Sequence, residues 1–525
     1  MQEIQDIAIK FGFNKDELIP YGKYMAKVRS VNTKKQEGKL ILVTAMTSNK
    51  MGIGKTTISI GLSDALNKIG KRSILALREP SMGPVFGIKG GATGGGKSCV
   101  EPSDLINLHF TGDFHAIAQA NNLLASIIDN HIFFGNELKI DVNNIFFKRC
   151  LDINERSLRQ IAYQIKGQEI NTGFNITAAS EVMAVLSLSK NMNDLKNNLG
   201  NILVAMSIDG KPIFARDLDA QEPMAILLSQ AINPNLVQTL EGNLALIHLG
   251  PFANIAHGCN SIVATRMALH HAEYCVTEAG FGSDLGAEKF LNIKSRVLGK
   301  TPDCVVLVIV NEVIKQHGNG DLLNGFKNVK RHINNIKEHY CLPVVVAINK
   351  HKSDSEGEIA LIKSLCEDMN VNAVIAQGYE KGSDGCLELA KEVSLLCGNR
   401  CNMNYTYNIN DQIKDKIEKI ARNIYGAKCV NYSKVADEKI NLANKLGFSN
   451  FFVNIAKTQF SFSGDKNMLG APEDFELFIS DIEIRSGAKM IVAIAGDMLL
   501  MPGLGRDSNY KRMAISDNGE ISGIV

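Results

Sequence analysis

The residues best suited to chemistry lie in the stretch TSNKMGIGKTT, from Thr47 to Thr57. An apolar run precedes this stretch and a helical pattern follows it, which predicts a glycine-rich turn between a buried strand and a helix. In such a turn the backbone N–H groups around Gly52 and Gly54 can surround phosphate oxygens, assisted by the positive end of the helix dipole. Lys55 can then reach the outer phosphates and Thr56 can help to hold Mg²⁺. The stretch therefore predicts a nucleotide site.

The loop departs from the usual P-loop in ways that leave alternatives open. Asn49 occupies the position five residues before Gly54-Lys55 where a glycine is usual. Lys50 gives the loop a resemblance to the deviant P-loop of dimeric ATP switches, in which an extra lysine reaches the partner's nucleotide. An ATP-dependent dimer switch is therefore an alternative, although such switches are usually much shorter than this chain. An ordinary strand-to-helix turn that contains two glycines is the structural alternative.

A second glycine run lies between Arg78 and Cys99 and reads REPSMGPVFGIKGGATGGGKSC. Its many glycines are incompatible with a helix or a regular strand, so the run predicts a loop whose backbone closely approaches a ligand. A disordered linker is the alternative, but a buried strand precedes the run and Phe86 and Ile88 lie inside it.

The elements that would position these residues follow from recurring short apolar runs. Runs of this kind suit strands that are buried on both faces of a parallel sheet, and they are found at 40–46, 72–79, 244–250, 273–280, 304–310 and 343–349. Open α/β sheets bind ligands at the carboxyl ends of such strands. We therefore predict an α/β fold with a mostly parallel, P-loop NTPase-like sheet.

A chain of 525 residues is too long for one compact core, so several domains are expected. We predict a nucleotide-binding domain from residues 1–149 and 236–398. An inserted α+β domain is predicted at 150–235, where the strand rhythm breaks. A C-terminal α+β domain is predicted at 399–525, with a helix near 411–426 and strands near 476–484 and 489–496.

Composition argues against several classes of protein. The formal net charge is +2, aromatic residues make up 6% and Trp is absent, so no nucleic-acid surface is expected. No apolar run reaches the roughly 18 residues that a membrane span needs, and the N-terminus lacks a signal-peptide core. The eleven cysteines are scattered without a C-x-x-C pair. This favours reduced thiols in the cytoplasm over a zinc site or a disulfide framework.

Several long segments resemble the formate–tetrahydrofolate ligase family, collinearly from about Tyr21 to the C-terminus. They are REPSMGPVFGIKGGATGGGKS (78–98), INLHFTGDFHAIAQANNLLASIIDNHI (106–132), TGFNITAASEVMAVL (172–186), NLVQTLEGNLALIHLGPFANIAHGCNSI (235–262), VTEAGFGSDLGAEKF (276–290) and LGAPEDFELFISDIEIRSGAKMIVAIAGDMLLMPGL (469–504). The resemblance implies ATP with Mg²⁺ as the energy source, and formate and tetrahydrofolate as substrates. The products would be 10-formyltetrahydrofolate, ADP and phosphate, formed through formyl phosphate. It also implies a homotetramer and a response to monovalent cations.

The resemblance implies roles for particular residues. The nucleotide-binding loop would be Asn49, Lys50, Met51, Gly52, Ile53, Gly54, Lys55 and Thr56, with Lys55 at the phosphates and Thr56 at Mg²⁺. Arg78 would contact formyl phosphate, because a guanidinium fork matches two oxygens of a phosphate or carboxylate; a surface ion pair with Glu79 is its structural alternative. His351 and Tyr379 would stack on a planar ligand. Residues 89–96 would line the site. Further candidates, each with a purely structural alternative, are Asp113, His115, His257, Glu278 and Asp284.

The chain departs from the family pattern at several of these positions. Lys50 and Ile53 replace Pro and Glu of the loop, and Lys97 replaces a Tyr after the glycine run. Glu312 stands where Arg is expected, His351 where Phe is, and Tyr379 where Trp is. These changes fit either a co-adapted active enzyme or a divergent paralogue that binds ATP but formylates weakly or uses another acceptor. Because Lys55, Thr56 and Arg78 are retained, use of ATP is the favoured prediction.

Overall fold

The computed structural model describes residues 1–29, 37–48, 52–253, 256–399, 401–496 and 498–524. The described strands of the first half of the chain are β1 Leu18–Tyr21, β2 Met25–Val28, β3 Lys39–Ala45, β4 Ser73–Leu77, β5 Gly94–Gly95, β6 Ser98–Glu101, β7 Ile140–Ile145, β8 Arg149–Leu151, β9 Ile161–Ile165, β10 Gln168–Thr172, β11 Phe174–Ile176, β12 Leu203–Ser207, β13 Pro212–Phe214, β14 Asn235–Thr239 and β15 Leu244–Ile247. Those of the second half are β16 Tyr274–Glu278, β17 Cys304–Ile309, β18 Val344–Asn349, β19 Ala373–Ala376, β20 Cys429–Tyr432, β21 Phe452–Ala456, β22 Glu476–Arg485, β23 Met490–Ala495, β24 Ala514–Ile515 and β25 Ile521–Ser522.

The described α-helices are α1 Ile4–Lys10, α2 Lys55–Lys68, α3 Met82–Phe86, α4 Ser103–Asn107, α5 Asp113–Phe133, α6 Glu181–Leu188, α7 Met192–Gly200, α8 Gln221–Leu227, α9 Ile262–His271, α10 Ser295–Leu298, α11 Asn311–His317, α12 Leu322–Asn334, α13 Glu356–Glu367, α14 Gly378–Lys381, α15 Leu387–Leu396, α16 Ile413–Ile420 and α17 Lys434–Lys445.

A large sheet forms the centre of the molecule, with the strand order β1-β2-β14-β15-β4-β16-β3-β17-β18-β19. From β15 to β19 every neighbouring pair is parallel, whereas β1, β2 and β14 pair antiparallel with their neighbours. The hairpin of β5 and β6 joins this sheet through β14. The prediction of an α/β fold with a mostly parallel sheet is confirmed at this level.

The parallel strands are apolar because helices cover them. Leu40 to Val43 are fully buried in β3, and every residue of β4, β16 and β17 is buried as well. Helices α2 and α9 pack against β4 and β16, and α12 packs against β17. Residues that are buried on both faces lose the alternation of a half-exposed strand and appear as continuous apolar runs.

Smaller sheets accompany the large sheet, the last of them the hairpin of β24 and β25. Between β6 and β14 the chain forms the small sheets β13-β12-β7, β9-β10 and β8-β11. After α15 it forms a four-stranded sheet in the order β20-β22-β23-β21, in which α16, β22 and β23 confirm the predicted helix and strands. The domain boundaries after residues 149, 235 and 398 remain predictions.

Within the described residues, no helix is both long and apolar enough to cross a membrane.

Candidate functional site

The order of three adjacent strands brings together the residues that the sequence singled out. In the sheet β16 lies between β4 and β3, and all three are parallel. Arg78 directly follows β4, Glu278 ends β16, and α2 begins at Lys55 after the turn that follows β3. The predicted phosphate loop and the predicted anion-binding arginine therefore lie on either side of Glu278.

Glu278 connects the two sides of this site. Thr56 Oγ1 donates a hydrogen bond to Glu278 Oε2 at 2.9 Å. On the other side Arg78 Nη2 lies 3.9 Å from Glu278 Oε1. The Glu278 side chain is 5% exposed and that of Arg78 is 17% exposed. A buried carboxylate between these groups fixes the position of the guanidinium and orients the Thr56 hydroxyl.

The guanidinium of Arg78 has donors to spare. Nη1 donates to the carbonyl oxygen of Pro251 at 3.4 Å, while the buried Nε has no hydrogen-bond partner among the described residues. Gly280 makes room for this group, because a Cβ there would lie 2.9 Å from Arg78 Nη1. A buried donor without a partner is costly, so Arg78 Nε is open to an acceptor from a ligand.

A cavity of about 470 Å³ opens beside Arg78 and Glu278. Its walls come from the glycine run, the strand ends and the C-terminal part of the chain. The lining residues are Arg78, Glu79, Pro80, Ser81, Pro84, Ile88, Lys89, Gly90, Gly91, Ala92, Asn154, Gly250, Phe252, Ala253, Glu278, Gly280, Phe281, Gln459, Met498, Leu499, Pro502 and Gly503. The combination of apolar walls with a few converging charges is typical of a small-molecule site.

Two lysine ammonium groups belong to the electrostatics of this site. Desolvation lowers the pKa of Lys55 to about 8, with Glu278 raising it and Arg78 lowering it. Desolvation in the cavity, together with the positive charges of Arg78 and Lys55, lowers the pKa of Lys89 to about 7. The Lys89 ammonium also lies 4.8 Å from the ring centroid of Phe281. Clustered cations with lowered pKa values are the expected state of a site for several negative charges before its ligands bind.

The glycine turn before α2 has the backbone that its sequence predicts. Gly52 and Gly54 have φ values of 76° and 79°, in the region that favours glycine. A Cβ at Gly54 would lie 2.5 Å from Asn349 Nδ2, which donates to the carbonyl oxygen of Ile53 at 3.0 Å. The Ile53 side chain is buried in the core, so only its backbone can serve a nucleotide. Asn49, Lys50 and Met51 lie outside the described residues.

Three side chains fix the start of this turn, and the motif search did not identify them as a group. The backbone N–H of Thr47 donates to His332 Nε2 at 2.7 Å, and its carbonyl oxygen lies 3.1 Å from His317 Nε2. Asn328 Nδ2 donates to Thr47 Oγ1 at 2.9 Å. Thr47, at the start of the turn, is therefore held by residues 270 to 285 positions away, which no local motif reveals.

His351 and Tyr379 follow the adjacent strands β18 and β19 and are both exposed. Strand pairing places Asn349 opposite Ala376, and Lys352 lies 3.7 Å from Glu380. His351 lies in the loop after β18 and Tyr379 in the short helix α14 after β19, so both rings are at the same edge of the sheet as the glycine turn. Their role as stacking surfaces remains a prediction.

The second glycine run is ordered, but it is not one continuous loop, because the short helix α3 and the strand β5 lie within it. The prediction that the run forms neither a helix nor a strand is therefore wrong at these two places, and its two ends have different surroundings. Lys89, Gly90, Gly91 and Ala92 line the cavity. Gly94–Gly95 instead pairs with β6, a short strand that the glycine content had argued against. Beyond it the Lys97 N–H donates to the carbonyl oxygen of Tyr379 at 2.9 Å. The run thus shapes the cavity at one end and packs against α14 at the other.

Other predicted polar candidates have structural partners or lie outside the cavity lining. Asp113 accepts from Lys27 Nζ at 2.7 Å, and Asp284 accepts from Lys457 Nζ at 2.6 Å. His115 is exposed on the first turn of α5. His257 is fully buried, and desolvation lowers its pKa to about 3, so the ring is neutral.

The two remaining departures from the family pattern, Lys97 and Glu312, are exposed. Glu312 lies on the first turn of α11, which follows β17 at the same edge of the sheet. Neither side chain belongs to the cavity lining.

Several lining residues carry no signal of their own in the sequence. Asn154, Phe252, Phe281 and Gln459 are single residues in unremarkable contexts, and 498–503 is a turn-rich segment. Only the long matched segments 235–262, 276–290 and 469–504 could have indicated part of this set.

No group of three or more His, Cys, Asp or Glu side chains in the described ranges could hold a metal ion. All eleven cysteines are free thiols. Thr56 and Glu278 nevertheless offer a hydroxyl and a carboxylate beside the phosphate loop, and Mg²⁺ that arrives with a nucleotide needs few protein ligands.

Comparison with known proteins gives a consistent result over the full length. The model of the family described as formate–tetrahydrofolate ligase matches residues 1–525. A formate–tetrahydrofolate ligase of Thermotoga petrophila is 50% identical over 544 aligned residues, with 100% of both chains covered. One of Thermotoga maritima is 49% identical over 543 aligned residues, again with 100% of both chains covered.

Proposed function

Because this chain belongs to the formate–tetrahydrofolate ligase family, its reaction is the ATP-dependent ligation of formate to tetrahydrofolate, and we propose that the reaction takes place in the cavity beside Arg78 and Glu278. The observation that carries this assignment is the position of Glu278 between Thr56 of the phosphate loop and Arg78 at the cavity. The terminal phosphate of ATP and a one-carbon acid would meet at this carboxylate.

ATP would bind with its phosphates on the turn from Asn49 to Thr56. Gly52 and Gly54 have the positive φ that such a turn requires, and α2 would direct its N-terminus at the phosphates. Lys55 would hold the outer phosphates. The rings of His351 and Tyr379, at the same edge of the sheet, would bind the planar base by stacking.

Formate would bind between Arg78 and Lys89. One carboxylate oxygen of formate attacks the γ-phosphorus, the bond to the β-phosphate oxygen breaks, and ADP leaves. Arg78, with its unsatisfied Nε, and Lys89 would neutralise charge on the transferred phosphoryl group and on the formyl oxygen. The product of this step is formyl phosphate, whose phosphorylated oxygen is a good leaving group.

The folate would occupy the apolar part of the same cavity. Its N10 attacks the formyl carbon, the C–O bond to phosphate breaks, and N10 loses its proton, so that 10-formyltetrahydrofolate and phosphate result. Walls such as Phe252, Phe281 and Leu499 would keep water away from the acyl phosphate, which hydrolyses easily. Holding both reactants in one cavity also removes the entropy cost of their encounter.

Mg²⁺ would enter with ATP and be held by Thr56 Oγ1 and the phosphates, with Glu278 as a second oxygen ligand or as the orienting acceptor. When bound, the ion neutralises phosphate charge. Three further proposals follow from the family resemblance. They are a site for a monovalent cation, a homotetrameric assembly and a cytoplasmic location.

The direct test incubates the purified protein with Mg²⁺, ATP, formate and tetrahydrofolate and follows formylated folate. Product that requires all three substrates is expected, and Lys55→Ala should abolish it while leaving the fold intact by circular dichroism. ATP hydrolysis that is unaffected by formate and folate would contradict the proposal and favour the dimer-switch alternative. Turnover of formate with ATP but little folate product would favour a divergent paralogue.

A further inference from the structure

A second cavity lies apart from the first one, which is beside Arg78. Its walls come from α5, α6, α17 and β22 and from the short segments around β7 and β11. No described residue lines both cavities. The second cavity has a volume of about 220 Å³, below the roughly 300–1,000 Å³ of sites for drug-sized molecules, so it suits a smaller ligand.

The segment 176–179 forms the partition between the two cavities. On one side Ile176 and Ala179 pack against Phe252, which lines the first cavity. On the other side Arg485 lines the second cavity, and its Nη1 donates to the carbonyl oxygen of Ala179 at 2.7 Å. The second cavity is therefore separated from the first by packed chain.

Strand β22 supplies three charged side chains to the second cavity. Asp481, Glu483 and Arg485 alternate along the strand, so they share one face of it. Asp481 pairs with Lys439 on α17 at 2.6 Å, and Glu483 pairs with Arg485 at 2.8 Å. These four side chains hold the wall of the cavity together and neutralise one another.

Three other polar groups of this cavity have bonding capacity left over. Lys148 is exposed and forms no ion pair within the described residues. The buried Oδ1 atom of Asn175 has no hydrogen-bond partner among them. Glu181 accepts from the N–H of Gly487 at 2.8 Å but is in no ion pair of the described chain. Desolvation raises the pKa of Glu181 to about 7, against the opposing charge of Arg485.

A free α-amino acid has the groups that complement these three. Its carboxylate matches the ammonium of Lys148, and its own ammonium offers donors to Glu181 and to Asn175 Oδ1. An anion without an ammonium, or a cation without a carboxylate, would leave one of these groups without a partner. Phe146 and Leu442 add apolar surface for a side chain of the ligand.

We propose that the second cavity binds a free α-amino acid with an apolar side chain, with Lys148 at its carboxylate and Glu181 and Asn175 at its ammonium. Both charges of the ligand contribute to affinity, because each has its own partner. The site is independent of the proposed reaction, since the first cavity and its substrates take no part in it.

The test measures binding of L-leucine to the purified full-length protein by titration calorimetry. Two analogues each lack one charge: L-leucinamide has no carboxylate, and 4-methylpentanoate has no ammonium. The variants are Lys148→Met and Glu181→Gln, with the exposed Lys211→Met as the matched control for loss of one ammonium. Glutamine at 181 keeps an oxygen for the Gly487 N–H, and circular dichroism checks that each variant is folded.

We expect L-leucine to bind the wild type and Lys211→Met equally. Lys148→Met should weaken this binding two- to fivefold, because a partly exposed ion pair is worth less than a factor of ten. Glu181→Gln should weaken it roughly tenfold, since this acceptor is less accessible to water. L-Leucinamide should bind the wild type and Lys148→Met alike, and 4-methylpentanoate should bind the wild type and Glu181→Gln alike, because the recognised charge is already missing.

Three results would overturn the site. The first is an absence of binding by L-leucine at millimolar concentrations. The second is an equal loss of affinity for L-leucine and L-leucinamide in Lys148→Met. The third is L-leucine binding that saturating MgATP, formate or tetrahydrofolate abolishes and Lys148→Met leaves unchanged, which would place the amino acid in the first cavity.

Discussion

At the scale of single residues, the geometry of Arg78 and Glu278 supports the proposed anion site. Glu278 is within 3.9 Å of the guanidinium but leaves Arg78 Nε unsatisfied, so the pair is not a closed ion pair. The structural alternative for Arg78, a surface pair with Glu79, does not occur, because Glu79 is buried and desolvation, followed by the charge of Asp113, raises its pKa well above the ordinary value. Arg78 therefore remains available for a ligand.

Substitutions at Arg78 test whether activity depends on its positive charge or on the planar shape of its guanidinium group. Arg78→Ala should lower kcat by roughly 10²–10³, the cost of removing one preorganised donor to a developing anion. Arg78→Lys keeps the charge but loses the fork, and we expect it to recover no more than a tenth of the lost activity. Initial rates of folate formylation provide the measurement, with Arg216→Ala as the control for an exposed arginine. Full activity in Arg78→Lys would show that only the charge matters.

Lys89 should make formate binding dependent on pH. Its pKa in the free enzyme is about 7, so the ammonium is present below pH 7 and is lost as the pH rises through this value. We expect kcat/KM for formate to fall as pH rises from 6 to 8, whereas kcat falls at higher pH because bound anions raise the pKa of Lys89. Lys89→Met should remove the step from the profile, and the exposed Lys211→Met should retain it. A profile that is unchanged in Lys89→Met would assign the step to another group.

At the scale of elements, the glycine turn depends on contacts that its sequence does not display. Gly52 and Gly54 have nearly the same φ, yet a Cβ at Gly52 meets no atom of the described residues within 4 Å, while one at Gly54 meets Asn349. The strands show the same limit of local patterns. All six apolar runs proved to be strands, but β2 and β14 were missed because they carry the buried polar residues Lys27, Asn235 and Gln238. Asp113 on α5 forms an ion pair with Lys27 and accepts a hydrogen bond from Asn235. No local sequence pattern predicts that Asp113 is the partner of these two residues.

The two glycines offer a matched comparison. Gly52→Ala should cost about 1 kcal/mol, the strain of a left-handed Ala. Gly54→Ala adds the displacement of Asn349 and the loss of its bond to Ile53, so we expect about 2–3 kcal/mol. The affinity for MgATP should weaken in the same order, with the larger loss in Gly54→Ala. Titration calorimetry measures this affinity, and the free energy of unfolding is measured beside it. The double variant Gly54→Ala/Asn349→Ala should lose less than the sum of the two single variants; additive losses would show that the contact is unimportant.

At the scale of the whole molecule, the cavity exists only because distant parts of the chain meet. The glycine run and the strand ends supply its charges, Asn154 comes from the region between β6 and β14, and Gln459 and 498–503 come from the C-terminal part. Ser48 Oγ at the start of the phosphate loop donates to the carbonyl oxygen of Gln459 at 3.3 Å. The charged half of the site could be predicted from two motifs, because phosphate chemistry restricts sequence locally. The apolar half of the site could not be predicted from the sequence, because its residues come from separate parts of the chain and meet only in the folded protein.

The ion pair of Lys457 and Asp284 is a test of how the C-terminal part is held against the large sheet. Lys457 follows β21, its Nζ lies 2.6 Å from Asp284 Oδ2, and the side chains are 0% and 2% exposed. Lys457→Met leaves an unpaired buried carboxylate, which should lower the free energy of unfolding by about 3–5 kcal/mol. The second change Asp284→Asn removes that charge, so the double variant should recover much of the loss. Lys139→Met breaks a pair whose side chains are 63% and 53% exposed and should cost less than about 1 kcal/mol.

Urea unfolding followed by circular dichroism measures the free energy of unfolding of the wild type and of these three variants. Because Gln459 lies two residues from Lys457, formylation by Lys457→Met should also decline at urea concentrations below those that unfold the wild type. Equal small costs for Lys457→Met and Lys139→Met would show that the buried pair does not hold the two parts together.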